Sequence, residues 1–198
     1  MALALRPMEP GDVPRVAAID QLSFPTPWPP SAFRSELKRA SATYLVLVKD
    51  VEESSASDDE AAAPWFRRFF GRANAPRIVG YVGFRVQSGR GHITTIALHP
   101  DWRRHGLGEF LLVEALDRMV SSDVEKVTLE MRPSNDAAFQ LYRKHDFEIV
   151  ELRHGYYRDG EDAWVMAVDL GDAAYQRELE ERRRKVQSRL DAGDLAVV

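Results

Sequence analysis

Apolar positions along this chain follow two spacings, one typical of strands and one typical of helices. Alternating positions and short β-branched runs predict strands, because successive side chains of a strand point to opposite faces. Apolar residues three and four positions apart predict helices that bury one side. The predicted strands cover residues 3–6, 44–48, 78–86, 92–98, 127–131, 147–152 and 163–170. The predicted helices cover residues 11–22, 31–39, 109–121, 136–145 and 173–190.

The order of these elements indicates the fold class. From the N-terminus the order is β, α, α, β, β, β, α, β, α, β, β, α. Strands joined by short turns pair antiparallel, whereas a strand–helix–strand unit pairs parallel. The order therefore predicts an α/β (α+β) fold, with a mixed, mostly antiparallel central sheet and helices on both faces.

Changes in composition divide the chain into a main domain and two additions. Residues 52–63 are acidic and rich in serine and alanine, which is typical of a flexible segment. We predict one domain over residues 1–170, a flexible insertion at about 51–77 and a helical extension over 171–198. The last helix carries a narrow apolar stripe for which three arrangements are open: packing along its own domain, on a second copy in a homodimer, or on the ribosomal side. The stripe consists of Tyr175, Leu179, Val186 and Leu190.

Composition and charge exclude several classes of protein. The net charge is −4, which argues against binding to nucleic acid, because proteins of that class carry a basic face. The chain contains no cysteine, so it has no disulfide, thiolate metal site or cysteine nucleophile. Its five histidines lack metal-ligand spacing, and we expect no metal. The absence of a signal peptide and of an apolar run of about 20 residues predicts a cytoplasmic protein without a membrane partner.

A basic loop that contains glycine separates the fourth predicted strand from the third predicted helix. Glycine lets the backbone bend sharply and approach a ligand, and the first amides of a helix have no partner within it. With two arginines and the positive end of a helix dipole, such a loop can hold a pyrophosphate. An ordinary strand–helix turn with surface arginines explains the loop equally well. The loop consists of Arg103, Arg104, His105, Gly106, Leu107 and Gly108.

Together with downstream segments, this loop resembles the GCN5-related N-acetyltransferases. Residues 129–135 read LEMRPSN and residues 141–144 read LYRK, which match segments of that family. Residues 130–135 together with Tyr156 and Tyr157 narrow the resemblance to the RimI type, whose members acetylate the N-terminal amine of a small-subunit ribosomal protein. The resemblance covers about residues 3–170, apart from the insertion.

The resemblance implies a GNAT fold that binds acetyl-CoA as the acetyl donor. In this fold two neighbouring strands splay apart, and the pantetheine arm of acetyl-CoA lies in the gap. The strand before the glycine loop, the loop itself and the helix after residue 135 are thereby assigned to donor binding. The implied residues are Ile96, Ala97, Leu98, Arg103, Arg104, His105, Gly106, Leu107, Gly108, Asn135, Ala138 and Tyr142.

Glu130 and Tyr142 match the catalytic pair of the family. Without a cysteine nucleophile, direct attack of the amine on the thioester in a ternary complex is the simplest route. Glu130 matches the general base. Since a carboxylate with an ordinary pKa of about 4.3 is a weak base, we expect a raised pKa or a relaying water. Tyr142 matches the acid that protonates the departing thiolate. Taken alone, a salt bridge to Arg132 is the better explanation of Glu130, and core packing that of Tyr142; the shared spacing with the glycine loop favours the catalytic interpretation of both.

The acceptor is predicted to be a protein N-terminus, with a ribosomal protein as the implied partner. An α-amine has a pKa of about 7.7–8.0 and a lysine about 10.4, so a weak base suits the α-amine better. Trp28, Tyr156 and Tyr157 are candidate walls of the peptide entrance beside Glu130, although ordinary packing also explains aromatic residues. The rival functions are acetylation of lysine or of a small amine (a polyamine, amino sugar or drug) and non-catalytic CoA binding.

One departure from the family pattern concerns Asp146, where glycine usually precedes a phenylalanine. If this position is left-handed, aspartate costs about 1 kcal/mol relative to glycine. We therefore expect a reshaped end of the helix that carries Tyr142.

Overall fold

Seven strands form one sheet in the computed structural model, which describes residues 3–49 and 77–191. The strands are β1 (Leu3–Pro7), β2 (Ala42–Lys49), β3 (Arg77–Gln87), β4 (Arg90–Leu98), β5 (Lys126–Met131), β6 (Glu148–Arg153) and β7 (Ala163–Asp169). Across the sheet their order is β1-β2-β3-β4-β5-β7-β6. The pairing is antiparallel except between β4 and β5, which are parallel. The predicted mixed, mostly antiparallel sheet is confirmed.

Five α-helices in the described parts of the chain cover the two faces of this sheet. They are α1 (Val13–Ser23), α2 (Pro30–Glu36), α3 (Leu107–Val120), α4 (Asp136–Lys144) and α5 (Ala173–Asp191). Side chains alternate along β2, so Tyr44, Val46 and Val48 pack with α1 and α2, whereas Leu45 and Leu47 pack with α3. We call these the α1 face and the α3 face. The predicted order of elements, with helices on both faces, is confirmed.

α3 forms the centre of the larger core. Burial of each leucine or valine contributes roughly 1.5–3 kcal/mol, so this helix is firmly held against the sheet. The glycine loop at its N-terminus is held with it. The side chains of α3 with no exposed surface are Leu107, Leu111, Leu112, Val113, Ala115, Leu116 and Met119.

β4 and β5 separate part-way along their length. Their last parallel pair is Ile93 with Leu129, although β4 continues to Leu98 and β5 to Met131. Thr94 forms a bulge at the point of separation, where the pairing of β4 with β3 shifts by one residue. The predicted splayed strand pair is therefore present, and its gap opens toward the glycine loop.

The predicted boundaries differ from the structure by one to three residues at most elements; the predicted helix over 31–39, for example, ends at Glu36. Ser88 and Gly89 both have positive φ angles, of 51° and 70°, and they form the tight turn between β3 and β4. The predicted turn over 89–91 is wrong because Arg90 already belongs to β4. Phe147 was expected in a strand, but β6 begins one residue later, at Glu148, and the Phe147 ring is fully buried in the core.

α5 docks on the α3 face through its apolar stripe. Leu179 and Val186 are almost completely buried, and Tyr175 and Leu190 pack against the same core. Of the three arrangements open to this stripe, the structure shows packing along its own chain.

The predicted flexible insertion over 51–77 lies outside the described residues, apart from Arg77, which begins β3. Within the described ranges, none of the helices is long and apolar enough to cross a membrane.

Candidate active site

The glycine loop leads into α3 with the first helical amides directed outward. Gly106 has a φ of 72°, a left-handed value that glycine adopts without strain, and no side chain caps the helix. The first helical hydrogen bond runs from the Phe110 amide to the Gly106 carbonyl at 3.0 Å. The amides of Leu107, Gly108 and Glu109 precede that bond, so they have no acceptor within the helix. Three amides at the positive end of a helix fit the phosphates of a nucleotide.

The two arginines of the loop differ in what they contact. The Arg103 guanidinium donates to the Leu22 carbonyl at 3.1 Å, the Ser23 hydroxyl at 3.0 Å and the Leu98 carbonyl at 3.3 Å. Arg103 thus ties the end of α1 to the end of β4. Arg104 is exposed, and its backbone is left-handed with a φ of 63°. We therefore expect phosphate charge to be met by Arg104 and the helix amides rather than by the Arg103 side chain.

The edge of β4 that faces the gap carries the backbone groups of Ile96 and Leu98. The His99 amide donates to the Val79 carbonyl of β3 at 2.9 Å. Because alternate residues direct their backbone groups to opposite edges of a strand, those of Leu98 and Ile96 point away from β3. The Ala97 side chain is buried on the α1 face. The gap is thus lined by backbone donors and acceptors where the resemblance implied the pantetheine arm.

Glu130 lies one residue beyond the last β4–β5 pair, and 14% of its side chain is exposed. Its carboxylate lies 3.2 Å from the His92 Nε2 and accepts a hydrogen bond from Arg153 at 2.7 Å. Burial by itself raises the pKa of Glu130, but His92 and Arg153 outweigh burial and hold the pKa below its ordinary value. The expectation of a raised pKa is wrong. The alternative salt bridge with Arg132 is wrong as well, because Arg132 binds carboxylates of another loop.

Arg132 joins two loops at the end of β5. Its guanidinium pairs with Asp159 at 2.9 Å and Glu161 at 2.6 Å, both in the β6–β7 connection. It also lies 3.8 Å from the centre of the Tyr157 ring and donates to the Thr26 hydroxyl of the α1–α2 loop at 3.4 Å. With only 9% of its surface exposed, Arg132 fixes both loops to the same strand.

Two of the three tyrosines predicted at the site, Tyr156 and Tyr157, lie beside each other, and both interact electrostatically with Glu130. Tyr156 and Tyr157 pack edge to face with ring centres 5.1 Å apart. Burial raises the pKa of Tyr157 to about 12, and the Glu130 charge contributes to the raised pKa of both tyrosines. Burial, followed by the neighbouring Tyr157 phenol, raises the pKa of Tyr142 well above its ordinary value. The structure therefore groups Glu130 with Tyr156 and Tyr157, whereas Tyr142 is linked to this group only through Tyr157 among the described residues.

Tyr142 is at the same time a core residue. Its ring packs on Phe147 with 5.6 Å between ring centres, and 6% of the residue is exposed. The core and catalytic interpretations of this tyrosine are compatible, since its ring is held by the core while its hydroxyl lies near Tyr157.

α4 begins beside the end of β5 and carries the other residues implied at the thioester. Asn135 caps this helix, because its side-chain oxygen accepts a hydrogen bond from the Ala138 amide at 3.1 Å. Ala138 is partly buried against the larger core. The capping role of Asn135 is thus established, and donor binding by Asn135 and Ala138 stays a prediction.

Asp20 anchors the proline-rich loop between α1 and α2 to the sheet. It is 1% exposed and accepts hydrogen bonds from the Trp28 amide at 2.6 Å and from the Tyr81 hydroxyl. Burial raises the pKa of Asp20 despite these bonds. The Trp28 ring packs on Phe33 with ring centres 5.6 Å apart. The structure connects Trp28 to the site through its loop, and its role as a wall of the entrance stays a prediction.

His92 and Arg153 were not predicted as site residues. The register of β4 and β5 sets His92 opposite Thr128, on the strand face that also carries Glu130. Arg153 reaches the same carboxylate from the end of β6. The only feature of the sequence that could have indicated His92 as a site residue is its titratable side chain in a strand next to that of Glu130. No feature of the sequence indicated Arg153.

Comparison with known proteins identifies the family to which this chain belongs. Residues 13–147, more than half of the chain, match the model of the acetyltransferase (GNAT) family. The chain is a member of the GNAT acetyltransferase family. The family, the GNAT fold, acetyl-CoA as donor and N-acetyl transfer as the reaction are thereby confirmed, whereas the roles of individual residues stay predictions.

Its relatives place this acetyltransferase in the RimI type. It is 31% identical over 171 residues to a Bacillus subtilis protein assigned as a ribosomal protein bS18-alanine N-acetyltransferase, covering 85% of this chain and 97% of that protein. It is 33% identical over 168 residues to the N-alpha-acetyltransferase RimI of Mycobacterium tuberculosis, covering 81% and 89%. The crystal structure of the ribosomal-protein-S18-alanine N-acetyltransferase from Escherichia coli superposes with a TM-score of 0.68 at 25% identity, covering 87% and 96%.

Proposed function

We propose that this acetyltransferase acts on the N-terminal α-amine of a ribosomal protein that begins with alanine. The observation that carries the proposal is the Glu130 carboxylate, held ionised between His92 and Arg153 beside two tyrosines. The names of two relatives refer to the alanine of ribosomal protein S18, which supports this acceptor. A ribosomal acceptor places the reaction in the cytoplasm.

The low pKa of Glu130 favours an α-amine as the acceptor. A carboxylate of this kind is a weak base, so it can deprotonate only an amine that is already partly neutral. Near pH 7 an α-amine is neutral several hundred times more often than a lysine amine. Glu130 then accepts the amine proton through a relaying water.

The gap between β4 and β5 fits acetyl-CoA. The outward amides of Leu107, Gly108 and Glu109 suit its pyrophosphate, and the backbone groups of Ile96 and Leu98 suit its pantetheine arm. Acetyl-CoA supplies the acetyl group as an activated thioester. The residues of the chain bind and orient it, so that proximity accounts for much of the rate.

We further propose that Tyr142 donates a proton to the leaving sulfur. Its hydroxyl is protonated at neutral pH, as a phenol of ordinary pKa also is, and burial makes it a weaker acid by raising its pKa. A thiol of ordinary pKa, about 8.5, is a stronger acid than a phenol, so transfer of the proton from tyrosine to the thiolate is unfavourable by itself. The transfer therefore requires a tight hydrogen bond between the two groups in the transition state.

The charges around Glu130 argue against a polyamine as the acceptor. A polyamine site needs carboxylates that are free to meet its several positive charges. Carboxylates near the site are instead paired with arginines. The pairs are Arg153 with Glu130 and Glu151, and Arg132 with Asp159 and Glu161.

The test of this proposal compares acceptors by the release of CoA from acetyl-CoA. We expect a peptide beginning with alanine to react, and the same peptide with a blocked N-terminus and an internal lysine to be inert. Mass spectrometry of the product locates the acetyl group. Faster reaction of spermidine or of the lysine peptide would overturn the proposed acceptor.

Arg132→Gln is expected to raise the KM for peptide about 10-fold and to leave the KM for acetyl-CoA within about twofold. The reason is that Arg132 connects Thr26 in one acceptor loop with Glu161 and Tyr157 in the other. Steady-state kinetics with each substrate varied in turn separate the two constants.

Arg85→Gln is the matched control for this prediction. Arg85 also pairs with a buried carboxylate, that of Glu36 at 2.7 Å, but it lies in β3 toward the opposite edge of the sheet. We expect both KM values to be unchanged in this variant. A rise in the KM for acetyl-CoA in the Arg132 variant would show that Arg132 supports the whole site rather than the acceptor loops.

A further inference from the structure

The C-terminal helix α5 holds the end of α4. The Arg182 guanidinium donates to the Lys144 carbonyl at 2.9 Å and pairs with the Asp146 carboxylate at 3.0 Å. The Tyr175 hydroxyl donates to the His145 carbonyl at 3.2 Å. Three consecutive residues at the end of α4 are therefore in contact with two side chains of α5.

Asp146, the residue that departs from the family pattern, lies at the centre of this contact. It has a φ of 60°, the left-handed value expected for the position, which strains an aspartate more than a glycine. The Arg182 charge pairs with the Asp146 carboxylate and also suits the negative end of the α4 dipole. The side chain that replaces glycine is thus the one that α5 binds.

The same turn sets the position of Tyr142. The Tyr142 carbonyl accepts hydrogen bonds from the His145 amide at 3.0 Å and from the Phe147 amide at 3.1 Å. A shift of this turn therefore moves the backbone that carries the Tyr142 ring. Because the ring is packed in the core, its hydroxyl has little freedom to compensate.

The turn also reaches the start of α3 through Glu109. The Glu109 carboxylate lies 2.8 Å from the Lys144 Nζ and 3.3 Å from the His145 Nε2. The contact with His145 lowers the pKa of Glu109 most, burial opposes it, and Lys144 lowers it further, to about 2. These two residues offset a negative charge beside the amides proposed to bind phosphate.

The geometry points to Arg182 as a positioning residue for Tyr142: by binding the end of α4, it holds the Tyr142 hydroxyl where the leaving sulfur needs a proton. This inference rests on the proposed function, in which Tyr142 is the acid. Arg182 itself touches no reacting atom, and it acts through the backbone of residues 144–146.

The test is a double-mutant comparison of kcat. Arg182→Gln is expected to lower kcat about 10-fold, with both KM values within about twofold, because the acid is misplaced while the substrates still bind. In a Tyr142→Phe background the same substitution is expected to leave kcat unchanged, since the group through which it acts is gone. Arg182→Lys is expected to restore part of the loss by keeping the charge near Asp146.

Arg183→Gln is the matched control on the same helix. Arg183 pairs with Glu114 at 2.6 Å and Asp117 at 3.6 Å on α3, so its loss weakens the docking of α5 without touching the end of α4. We expect wild-type kcat in this variant.

An unchanged kcat in Arg182→Gln would overturn the inference, and so would an equal loss in the Tyr142→Phe background or in Arg183→Gln. Thermal unfolding of every variant excludes global loss of structure. A wild-type chain that acetylates no peptide would instead refute the proposed function, and the inference with it.

Discussion

Glu130→Gln is expected to lower kcat by about 100-fold or more while the Kd of acetyl-CoA stays within about twofold. The substitution keeps the shape of the side chain and removes the group that accepts the amine proton. The neighbouring Leu129 packs on the α3 face, so the Glu130 side chain projects from the opposite face of the sheet, away from the glycine loop at the start of α3, and we expect donor binding to be spared. Steady-state kinetics and calorimetry with acetyl-CoA measure the two quantities.

The pH dependence of the Glu130 variant follows from its lowered pKa. A carboxyl group with a lowered pKa is already ionised at pH values below its ordinary pKa. Glu130 is therefore charged throughout pH 6–9, and its titration does not change the rate within that range. The loss of rate is expected to be largest below about pH 8, where the α-amine is mostly protonated and needs a base.

Glu151→Gln is the control for Glu130→Gln. Glu151 also pairs with Arg153, at 3.0 Å, but it is exposed on β6, and we expect its variant to keep kcat. Weaker acetyl-CoA binding in Glu130→Gln would mean that the carboxylate belongs to the donor site.

Gly108→Val is expected to weaken CoA binding by at least about 100-fold. A Cβ at residue 108 would lie 3.7 Å from the Leu141 side chain and 3.8 Å from the Leu98 side chain, which is ordinary contact. The further methyl groups of valine exceed that space and push the start of α3 away from the sheet. The outward amides then lose the alignment that a pyrophosphate requires.

Gly108→Ala is the matched variant, because a single Cβ fits at these distances, and we expect CoA affinity within a fewfold of wild type. Calorimetric titration with CoA measures both variants, and thermal unfolding shows whether valine also disturbs the core. Unchanged affinity in Gly108→Val would refute the assignment of the phosphate site to the start of α3.

The parts of the fold and of the site that consist of residues close together in the sequence could be predicted. Three such parts are the glycine loop, the segment around Glu130 and the helix of Tyr142. Each spans only a few consecutive residues, so the spacing of those residues is enough to assign it to a strand, a helix or a loop. The order of strands and helices was predictable for the same reason, because each element has its own apolar pattern.

The electrostatic partners of these residues could not be predicted. Glu130 and Arg153 are 23 residues apart, and His92 reaches the pair only through the register of β4 with β5. Arg132 lies two residues after Glu130, which suggested a bond between them, but the β6–β7 connection supplies it with other carboxylates. The pKa of Glu130 depends on these long-range pairs, which explains why it was predicted in the wrong direction.

The Arg103 side chain has a consequence for how the two substrates influence each other. Its guanidinium connects the Leu98 carbonyl, at the end of β4, with Leu22 and Ser23, at the end of α1. Under the proposed function, we expect a movement at one of these ends on ligand binding to displace the other. Any such free energy of coupling is reciprocal, so occupancy by nucleotide must change peptide affinity by the same factor as peptide changes nucleotide affinity. Titrations carried out with one ligand alone will then misjudge the stability of the ternary assembly by that factor.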